Sequence, residues 1–303
     1  MPSTQTPSVK KVIIPVAGAG TRLLPVTKSQ PKEMLPVGRK PVVQYVVEEM
    51  QAAGLREILF VTGRQKTSIE DHFDHDAELV RKISEGGRSE LLSALDYETA
   101  DASFFFVRQR ELKGLADAVA TGRDFVGGEP FAVALGDSII KNSGKGALMN
   151  DMIRVFVDKK AAAVVAVEEV APDMVHHYGI VSPKGTPRAG QAFAIDGVVE
   201  KPAPEEAKSN LAIAARYVFD PVIFDAIDRT VPQKGGEMQL TDSIGILINQ
   251  GKPVYCIRLA RDQRRYDVGN FESYFKAFVD FAMDDEKYGY MVRQHIIRNL
   301  QEG

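Results

Sequence analysis

The sequence predicts an α/β protein in which helices flank a Rossmann-like, mostly parallel mixed sheet. Short runs of β-branched and aromatic residues alternate with stretches of helical periodicity, a pattern typical of parallel strands joined by right-handed crossovers. The predicted strands span residues 12–16, 58–62, 104–107, 131–135 and 164–167. Because sites in such sheets lie at the carboxyl ends of the strands, functional residues are expected directly after these segments.

The first predicted helix follows at residues 41–54. Pro41 suits its first turn and Gly54 suits its end. One apolar face between them consists of Val42, Val43, Val46, Val47 and Met50. A second helix is predicted over residues 115–126, although Gly122 weakens its pattern.

After about residue 170 short strand patterns follow one another closely, which predicts a small, partly antiparallel portion laid over the site. A helix is then predicted over residues 241–251, capped by Thr241 and ended by Gly251, with a strand over residues 254–259. From Phe271 onward the pattern is helical and aromatic, so this C-terminal segment either packs against the body or meets another subunit.

The 303 residues can bury a large core, and their composition is that of a soluble globular protein. Because the net charge is only −3, no surface suited to wrapping nucleic acid is expected. The N-terminal segment lacks the features of an export signal, and no run approaches the roughly 18 apolar residues of a membrane span. The sequence therefore predicts a cytoplasmic protein without a nucleic-acid or membrane partner. Its one cysteine, Cys256, is expected to be buried.

The loop after the first strand, VAGAGTRLLPVTKSQPKEMLP, combines small residues with cations. Gly18 and Gly20 let backbone N–H groups approach a ligand closely, and phosphate is the usual ligand of such loops. Arg22 offers a planar fork for two phosphate oxygens, and Lys32 offers a compact charge. The loop is neither a Walker A motif nor a dinucleotide fingerprint, since Leu23 stands where the latter has its third glycine. The alternative interpretation is a solvated basic loop.

This loop resembles the signature of the sugar-1-phosphate nucleotidylyltransferases, G-x-G-T-R followed by P-K-x-[ML]-L-P. The resemblance extends from about residue 11 to about residue 278 and is greatest to the bacterial uridylyltransferases within that family. Later matches occur in the right order, namely VRQRELKGLADAV, ALGDSI, YGIV, VVEKP, GGEMQLTDSI and YDVGN. Ordered matches along one chain are far more specific than any single motif.

The resemblance implies the nucleotide-diphospho-sugar transferase fold, with a small antiparallel sugar-binding portion and C-terminal helices. It also implies a reaction in which glucose 1-phosphate attacks the α-phosphorus of UTP, giving UDP-glucose and pyrophosphate with Mg²⁺ as cofactor. Since two anions must meet, the chemistry requires mainly positioning and charge neutralisation. The implied divisions are a disordered tail (1–9), a nucleotidyltransferase domain (10–270, with a nucleotide-binding half to about 170) and a helical segment (271–303).

For the nucleotide, the resemblance implies that Arg22 binds the outgoing pyrophosphate and that Lys32 contacts the α-phosphate. Gln109 has both the donor and the acceptor that pairing with a uracil edge requires, and Gly114 would let the base or ribose lie close to the backbone. A surface glutamine is the alternative for Gln109. The implied nucleotide-binding residues are Ala17, Gly18, Ala19, Gly20, Gln109 and Gly114.

For the metal and the sugar, the resemblance implies that Asp137 and Asp267 hold Mg²⁺, which prefers one or two carboxylates plus phosphates and waters. Glu200 would accept hydrogen bonds from glucose hydroxyls, Lys201 would bind the sugar phosphate, and Gly179 would give the ring room. Adjacent strand residues point to opposite faces, so Glu200 and Lys201 can share a ligand only if the strand ends irregularly there. The alternatives are a turn residue at position 137 and a surface ion pair at positions 200–201. The implied catalytic set is Arg22, Lys32, Asp137 and Lys201.

Two other functions remain open. A thymidylyltransferase would use dTTP, but that group typically reads S-K-Q-L-L-P where this chain has PKEMLP. A silent relative could bind nucleotide-sugars without catalysis. Such a protein could lose its charged site residues and still keep its fold. By resemblance, the protein is also expected to be a homodimer or a homotetramer.

Overall fold

The computed structural model describes residues 9–99, 101–141, 144–233 and 235–302. Its strands, in chain order, are β1 (Lys11–Pro15), β2 (Pro36–Val37), β3 (Lys40–Pro41), β4 (Glu57–Thr62), β5 (Ser103–Arg108), β6 (Phe131–Ala134), β7 (Ser138–Lys141), β8 (Ala163–Glu169), β9 (Gly179–Pro183), β10 (Ala192–Glu200), β11 (Leu211–Phe219), β12 (Val254–Arg258) and β13 (Arg264–Asp267). Its α-helices are α1 (Val42–Ala52), α2 (Thr67–Phe73), α3 (Ala77–Glu85), α4 (Leu115–Ala120), α5 (Arg123–Val126), α6 (Ala147–Lys159), α7 (Ile223–Ile227), α8 (Leu240–Asn249), α9 (Phe271–Met283) and α10 (Gly289–Glu302).

Within the described residues, nine strands form one sheet in the order β5–β4–β1–β6–β11–β8–β12–β10–β9. The half that contains β5, β4, β1 and β6 is parallel. In the other half, β11 runs antiparallel to β6 and β8, and β10 runs antiparallel to β12 and β9. All six strands for which the sequence predicted bounds are present, and the predicted mixed α/β fold is confirmed.

The two faces of the sheet carry separate apolar cores because successive side chains of a strand point to opposite faces. In β1, Ile13 belongs to the same core as Val119 of α4. Its neighbours Val12 and Ile14 belong to the opposite core, with Val46 of α1. Side chains that alternate between the two faces of β1 therefore pack against helices on both sides of the sheet.

A third, smaller core fixes the loop that follows β1. Leu23 and Leu35, from the two ends of that loop, pack in it with Ile139 of β7, Tyr266 of β13 and Ala277 of α9. The loop residues between them thus keep a defined position relative to β7 and β13. Of the two predicted acidic residues, Asp137 directly precedes β7 and Asp267 ends β13.

Four details differ from the sequence predictions. The helix predicted from Leu115 onward is divided into α4 and α5, which are separated by Thr121 and Gly122. Pro41 lies just before α1 in an extended conformation and not in its first turn. Thr241 does not cap α8, because the helix begins at Leu240 and the N-cap position is taken by Gln239. The predicted tail lies outside the described residues except for Val9, which is buried at 5% exposure.

The C-terminal helices pack on the body through one face. Ala277 of α9 is buried in the third core, whereas Phe275 is 58% exposed and Phe278 is 40% exposed. Cys256 is fully buried in β12, as predicted, and burial raises the pKa of its thiol. Among the described residues, no helix has the length and apolar character needed to cross a membrane.

Candidate active site

The loop after β1 contains three short 3₁₀ turns, Thr21–Leu23, Val26–Lys28 and Lys32–Met34. Gly20 begins the first of these turns with φ of 66°, in the left-handed region that favours glycine. Its carbonyl oxygen accepts a 2.8 Å hydrogen bond from the hydroxyl of Thr27. The loop is thereby folded back on itself, which brings Lys32 to its beginning.

Lys32 lies directly beside the small-residue segment. A Cβ atom added to Gly18 would be 3.6 Å from Nζ of Lys32, which is an ordinary van der Waals contact. Nζ forms an ion pair with Asp137, and the two side chains are only 15% and 18% exposed. The predicted cation and the first predicted acidic residue are therefore in contact.

Asp137 and Asp267 are brought together by the antiparallel ribbon of β7 and β13. In this ribbon Asp267 is paired with Ser138, the residue after Asp137. The N–H of Val268, in turn, donates a 2.9 Å hydrogen bond to the carbonyl oxygen of Asp137. Two aspartates that are far apart in sequence thus become neighbours through strand register.

The close approach of these charges shifts their protonation. Burial would lower the pKa of Lys32, but Asp137 and Glu33 outweigh it and raise this pKa overall. Burial works against the ionised form of Asp137, yet the amine of Lys32 holds its pKa below the usual range. For Asp267, burial and then the charge of Asp137 raise the pKa. The two neighbouring carboxylates therefore favour a nearby positive charge.

Arg22 is exposed, and its guanidinium approaches Gly269, as the carboxylate of Asp267 does. A Cβ atom added to Gly269 would lie 2.9 Å from Oδ2 of Asp267 and 3.2 Å from Nη2 of Arg22. The glycine thus leaves space in which the guanidinium and the carboxylate both approach the backbone. Arg22, Lys32, Asp137 and Asp267 consequently form one cluster.

A cavity of about 840 Å³ opens beside Ala17 and Ala19. Gln109 lines it as well, whereas no aspartate or glutamate is among the described residues of the lining. The cations around it are Lys28, Arg64, Lys66, Arg108 and Arg110. An excess of positive charge next to a small-residue loop suits a polyanion such as a triphosphate.

Gln109 is held at the end of β5 and is only 6% exposed. Its side-chain amide donates a 2.7 Å hydrogen bond to Oδ2 of Asp117. Gly114 is required for backbone packing, since its φ is 98° and an added Cβ would lie 2.5 Å from the carbonyl oxygen of Met238. Close packing of two backbone segments requires this glycine, while its nearness to a base stays a prediction.

The predicted sugar residues lie where β10 meets β9. Glu200 is paired with Gly179 across these strands, and Lys201 has φ of 47° directly after the strand. This left-handed residue supplies the irregular end that the sequence required, and it brings Nζ of Lys201 to 3.6 Å from Oε1 of Glu200. A Cβ atom at Gly179 would lie 3.1 Å from Oε2 of Glu200 and 2.8 Å from Oγ1 of Thr241.

Sequence reasoning missed the buried partners of these residues. Glu33, next to Lys32, forms a 2.8 Å ion pair with Lys66, whose side chain is 7% exposed. Arg265, two residues before Asp267, pairs with Glu168 and has its guanidinium 5.1 Å from the ring centre of Tyr178. Such pairs arise from packing between distant segments, and the polar sequence around Glu33, Lys66 and Arg265 gives no sign of them.

The chain matches the family model described as Nucleotidyl transferase over residues 11–284. It belongs to this family. The UTP–glucose-1-phosphate uridylyltransferase of Staphylococcus haemolyticus is 41% identical over 294 residues, which cover 97% of this chain and 98% of that protein. The family resemblance seen in the sequence is therefore confirmed.

Solved structures agree with this relationship. A UTP-bound UGPase from Acinetobacter baumannii has a TM-score of 0.88 and 34% identity, covering 96% of this chain and 99% of that one. A UDP-glucose pyrophosphorylase complexed with UDP-glucose has a TM-score of 0.81 and 36% identity, covering 92% of this chain and 100% of that one. These relatives share the fold along nearly their whole length.

Proposed function

We propose that this protein transfers a uridylyl group from UTP to α-D-glucose 1-phosphate, forming UDP-glucose and releasing pyrophosphate. The observation that carries the proposal is the cluster of Arg22, Lys32, Asp137 and Asp267 beside the small-residue loop and its cation-lined cavity. Relatives at 41% identity and above that carry the name UTP–glucose-1-phosphate uridylyltransferase support it. Uridine nucleotide ligands are named for two structural neighbours.

In the proposed reaction, a phosphate oxygen of glucose 1-phosphate attacks the α-phosphorus of UTP. The bond from that phosphorus to the bridging oxygen breaks, and pyrophosphate leaves with the bonding electrons. Lys32 binds the α-phosphate in this proposal, where negative charge develops, and its raised pKa keeps it protonated at neutral pH. Arg22 and the cations of the cavity bind the departing pyrophosphate.

Asp137 and Asp267 would hold a divalent cation. Among the described residues, no group of three or more histidine, cysteine, aspartate or glutamate side chains is placed to hold a metal ion. Two carboxylates suffice for Mg²⁺, which takes its remaining ligands from phosphate and water. The charge of Asp137 helps to raise the pKa of Asp267, and a cation between them would remove this repulsion. When bound, Mg²⁺ would neutralise phosphate charge and orient the two substrates.

The sugar phosphate is proposed to bind at the end of β10. Glu200 is buried to 10% side-chain exposure and presents acceptors for sugar hydroxyls, whereas Lys201 is 53% exposed and free to meet a phosphate. Gly179 has no side chain that could displace Glu200, since an added Cβ would lie 3.1 Å from its Oε2. Both charged residues can serve one ligand because the strand ends irregularly between them.

The proposal is tested by a substrate matrix. Pyrophosphate release with Mg²⁺ is measured for UTP, dTTP, CTP, ATP and GTP against several sugar 1-phosphates. We expect UTP with glucose 1-phosphate to give the highest kcat/KM. Predominant use of dTTP would establish a thymidylyltransferase instead, and binding of UDP-glucose without pyrophosphate release would establish a silent relative.

We also propose a cytoplasmic homodimer or homotetramer that associates through the C-terminal helices. Their exposed apolar side chains include Phe275, Tyr290 and Met291, at 58%, 69% and 66% exposure. Burial of such a patch against a second copy would stabilise the assembly. Sedimentation of the wild-type chain and of Tyr290→Ser should show larger and smaller species, respectively, while unchanged sedimentation would place the interface elsewhere.

A further inference from the structure

The amide of Gln109 has a fixed orientation because of Asp117. Nε2 of Gln109 donates a 2.7 Å hydrogen bond to Oδ2 of Asp117 and lies 3.4 Å from the carbonyl oxygen of Gly114. Turning the amide by 180° would place its oxygen against the carboxylate, so that two acceptors would face each other. A charge-assisted hydrogen bond would be lost in that turn, and the observed orientation is therefore strongly preferred.

Both partners of this contact are anchored by the backbone. The N–H of Gln109 donates a 2.8 Å hydrogen bond to the carbonyl oxygen of Thr62 at the end of β4. Asp117 lies in α4, where its carbonyl oxygen accepts hydrogen bonds from the N–H and the hydroxyl of Thr121 at 3.0 and 2.9 Å. The orientation of the amide is thus built into the strand end and the helix.

The other end of the amide is the acceptor Oε1. Within the part of the chain that the structure describes, no group donates a hydrogen bond to it, and Gln109 lines the cavity beside Ala17 and Ala19. A ligand in this cavity would therefore meet a fixed acceptor. Uracil and thymine present a donor at N3–H, whereas N3 of cytosine is an acceptor.

We infer that Asp117 is a specificity-determining residue, which locks the Gln109 amide so that the site accepts a base with an N3–H donor and rejects cytosine. The inference rests on the proposed function, because it assigns the cation-lined cavity to a pyrimidine nucleotide. Asp117 acts through Gln109 and is a positioning residue. Because uracil and thymine both have the N3–H group, this fixed amide discriminates between UTP and CTP but not between UTP and dTTP.

The test compares the wild-type protein with Asp117→Asn, using kcat/KM for UTP, CTP and dTTP with glucose 1-phosphate. An asparagine can either donate or accept, so the Gln109 amide can turn. We expect the UTP:CTP ratio of kcat/KM to fall by about tenfold or more, since the correct hydrogen bond is no longer enforced. The UTP:dTTP ratio should stay within about twofold.

The control is Glu111→Gln, which removes an exposed carboxylate of the same segment that pairs with Lys113. This variant should keep both wild-type ratios. If Asp117→Asn does not fold, as judged by circular dichroism, Asp117→Ser releases the amide in the same way and is measured instead.

An unchanged UTP:CTP ratio in a folded variant would overturn the inference, whether or not the overall rate falls, because a merely structural role would affect both nucleotides alike. Poor discrimination against CTP by the wild-type protein would also overturn it while leaving uridylyl transfer intact. A wild-type protein that does not use UTP at all would refute the proposed function itself, and the inference with it.

Discussion

Two lysines of the candidate site, Lys32 and Lys201, are held in different ways. Lys32 is 15% exposed and is in direct contact with Asp137, whose side chain is 18% exposed. Lys201 is 53% exposed and lies 3.6 Å from Glu200, beyond an ordinary hydrogen bond. The first lysine is positioned before any substrate arrives, whereas the second can move to meet one.

The surroundings strengthen this contrast. Behind the turn that carries Asp137, the fully buried Arg216 pairs with Glu49 at 2.7 Å and donates a 2.8 Å hydrogen bond to the carbonyl oxygen of Ser138. Lys201, in contrast, is fixed mainly through its backbone N–H, which donates to Tyr178 at 2.9 Å. A rigid region suits the step in which charge develops, and a mobile lysine suits capture of a substrate. Three substitutions test this division.

The largest effect, a loss of stability, is expected from Glu49→Gln, which removes the carboxylate that pairs with Arg216. The variant leaves the guanidinium of Arg216 buried without a carboxylate, and removal of one partner of a buried ion pair costs about 3–5 kcal/mol of stability. Urea denaturation should show this loss as a lower midpoint at an unchanged slope.

Glu78→Gln is the matched control for that measurement. Its carboxylate also pairs with a cation at 2.7 Å, namely Lys82, but both side chains are 65% exposed. A loss below about 1 kcal/mol is expected for an exposed pair. Equal losses in the two variants would show that the region around Asp137 does not depend on the buried pair.

The second effect concerns Lys32→Ala. Removal of a preorganised donor from the point where charge develops lowers kcat by about 10²- to 10³-fold. The KM for glucose 1-phosphate should change by less than about threefold, since Lys32 is not assigned to the sugar. Lys276→Ala, on the exposed face of α9, is the control and should retain wild-type kinetics. A rise in KM with unchanged kcat would place Lys32 in substrate capture.

The sequence predicted the fold well because alternating strands and helices depend on local periodicity. Residues 12–16 and 58–62, for example, are apolar runs whose burial follows from their pattern, and both are strands in the sheet. The small-residue loop and its cations could also be predicted from the sequence alone as a phosphate-binding loop. Its relation to Asp137 and Asp267 required the family resemblance, because strand register between β7 and β13 is not visible in either segment alone.

Long-range polar pairs could not be predicted from the sequence. Arg216 lies 167 residues from Glu49, and nothing in either segment names the other as its partner. One signal was present, since an arginine within the otherwise apolar run LAIAARYVF must either face solvent or find a buried partner. The Asp117–Gln109 contact is similar, because its chemical meaning depends on which end of an amide faces the cavity.

The smallest effect is expected from Lys201→Ala, which tests the mobile side of the comparison. An exposed lysine that meets the sugar phosphate only on binding contributes about 1.4 kcal/mol, so the KM for glucose 1-phosphate should rise about tenfold. The kcat should change by less than about threefold, because the lysine stabilises the bound ground state and the transition state alike. Initial-rate kinetics at saturating UTP measure both constants, with the neighbouring exposed Lys208→Ala as control. A fall in kcat comparable to that of Lys32→Ala would mean that both lysines act on the developing charge, and the distinction between a rigid and a mobile lysine would fail.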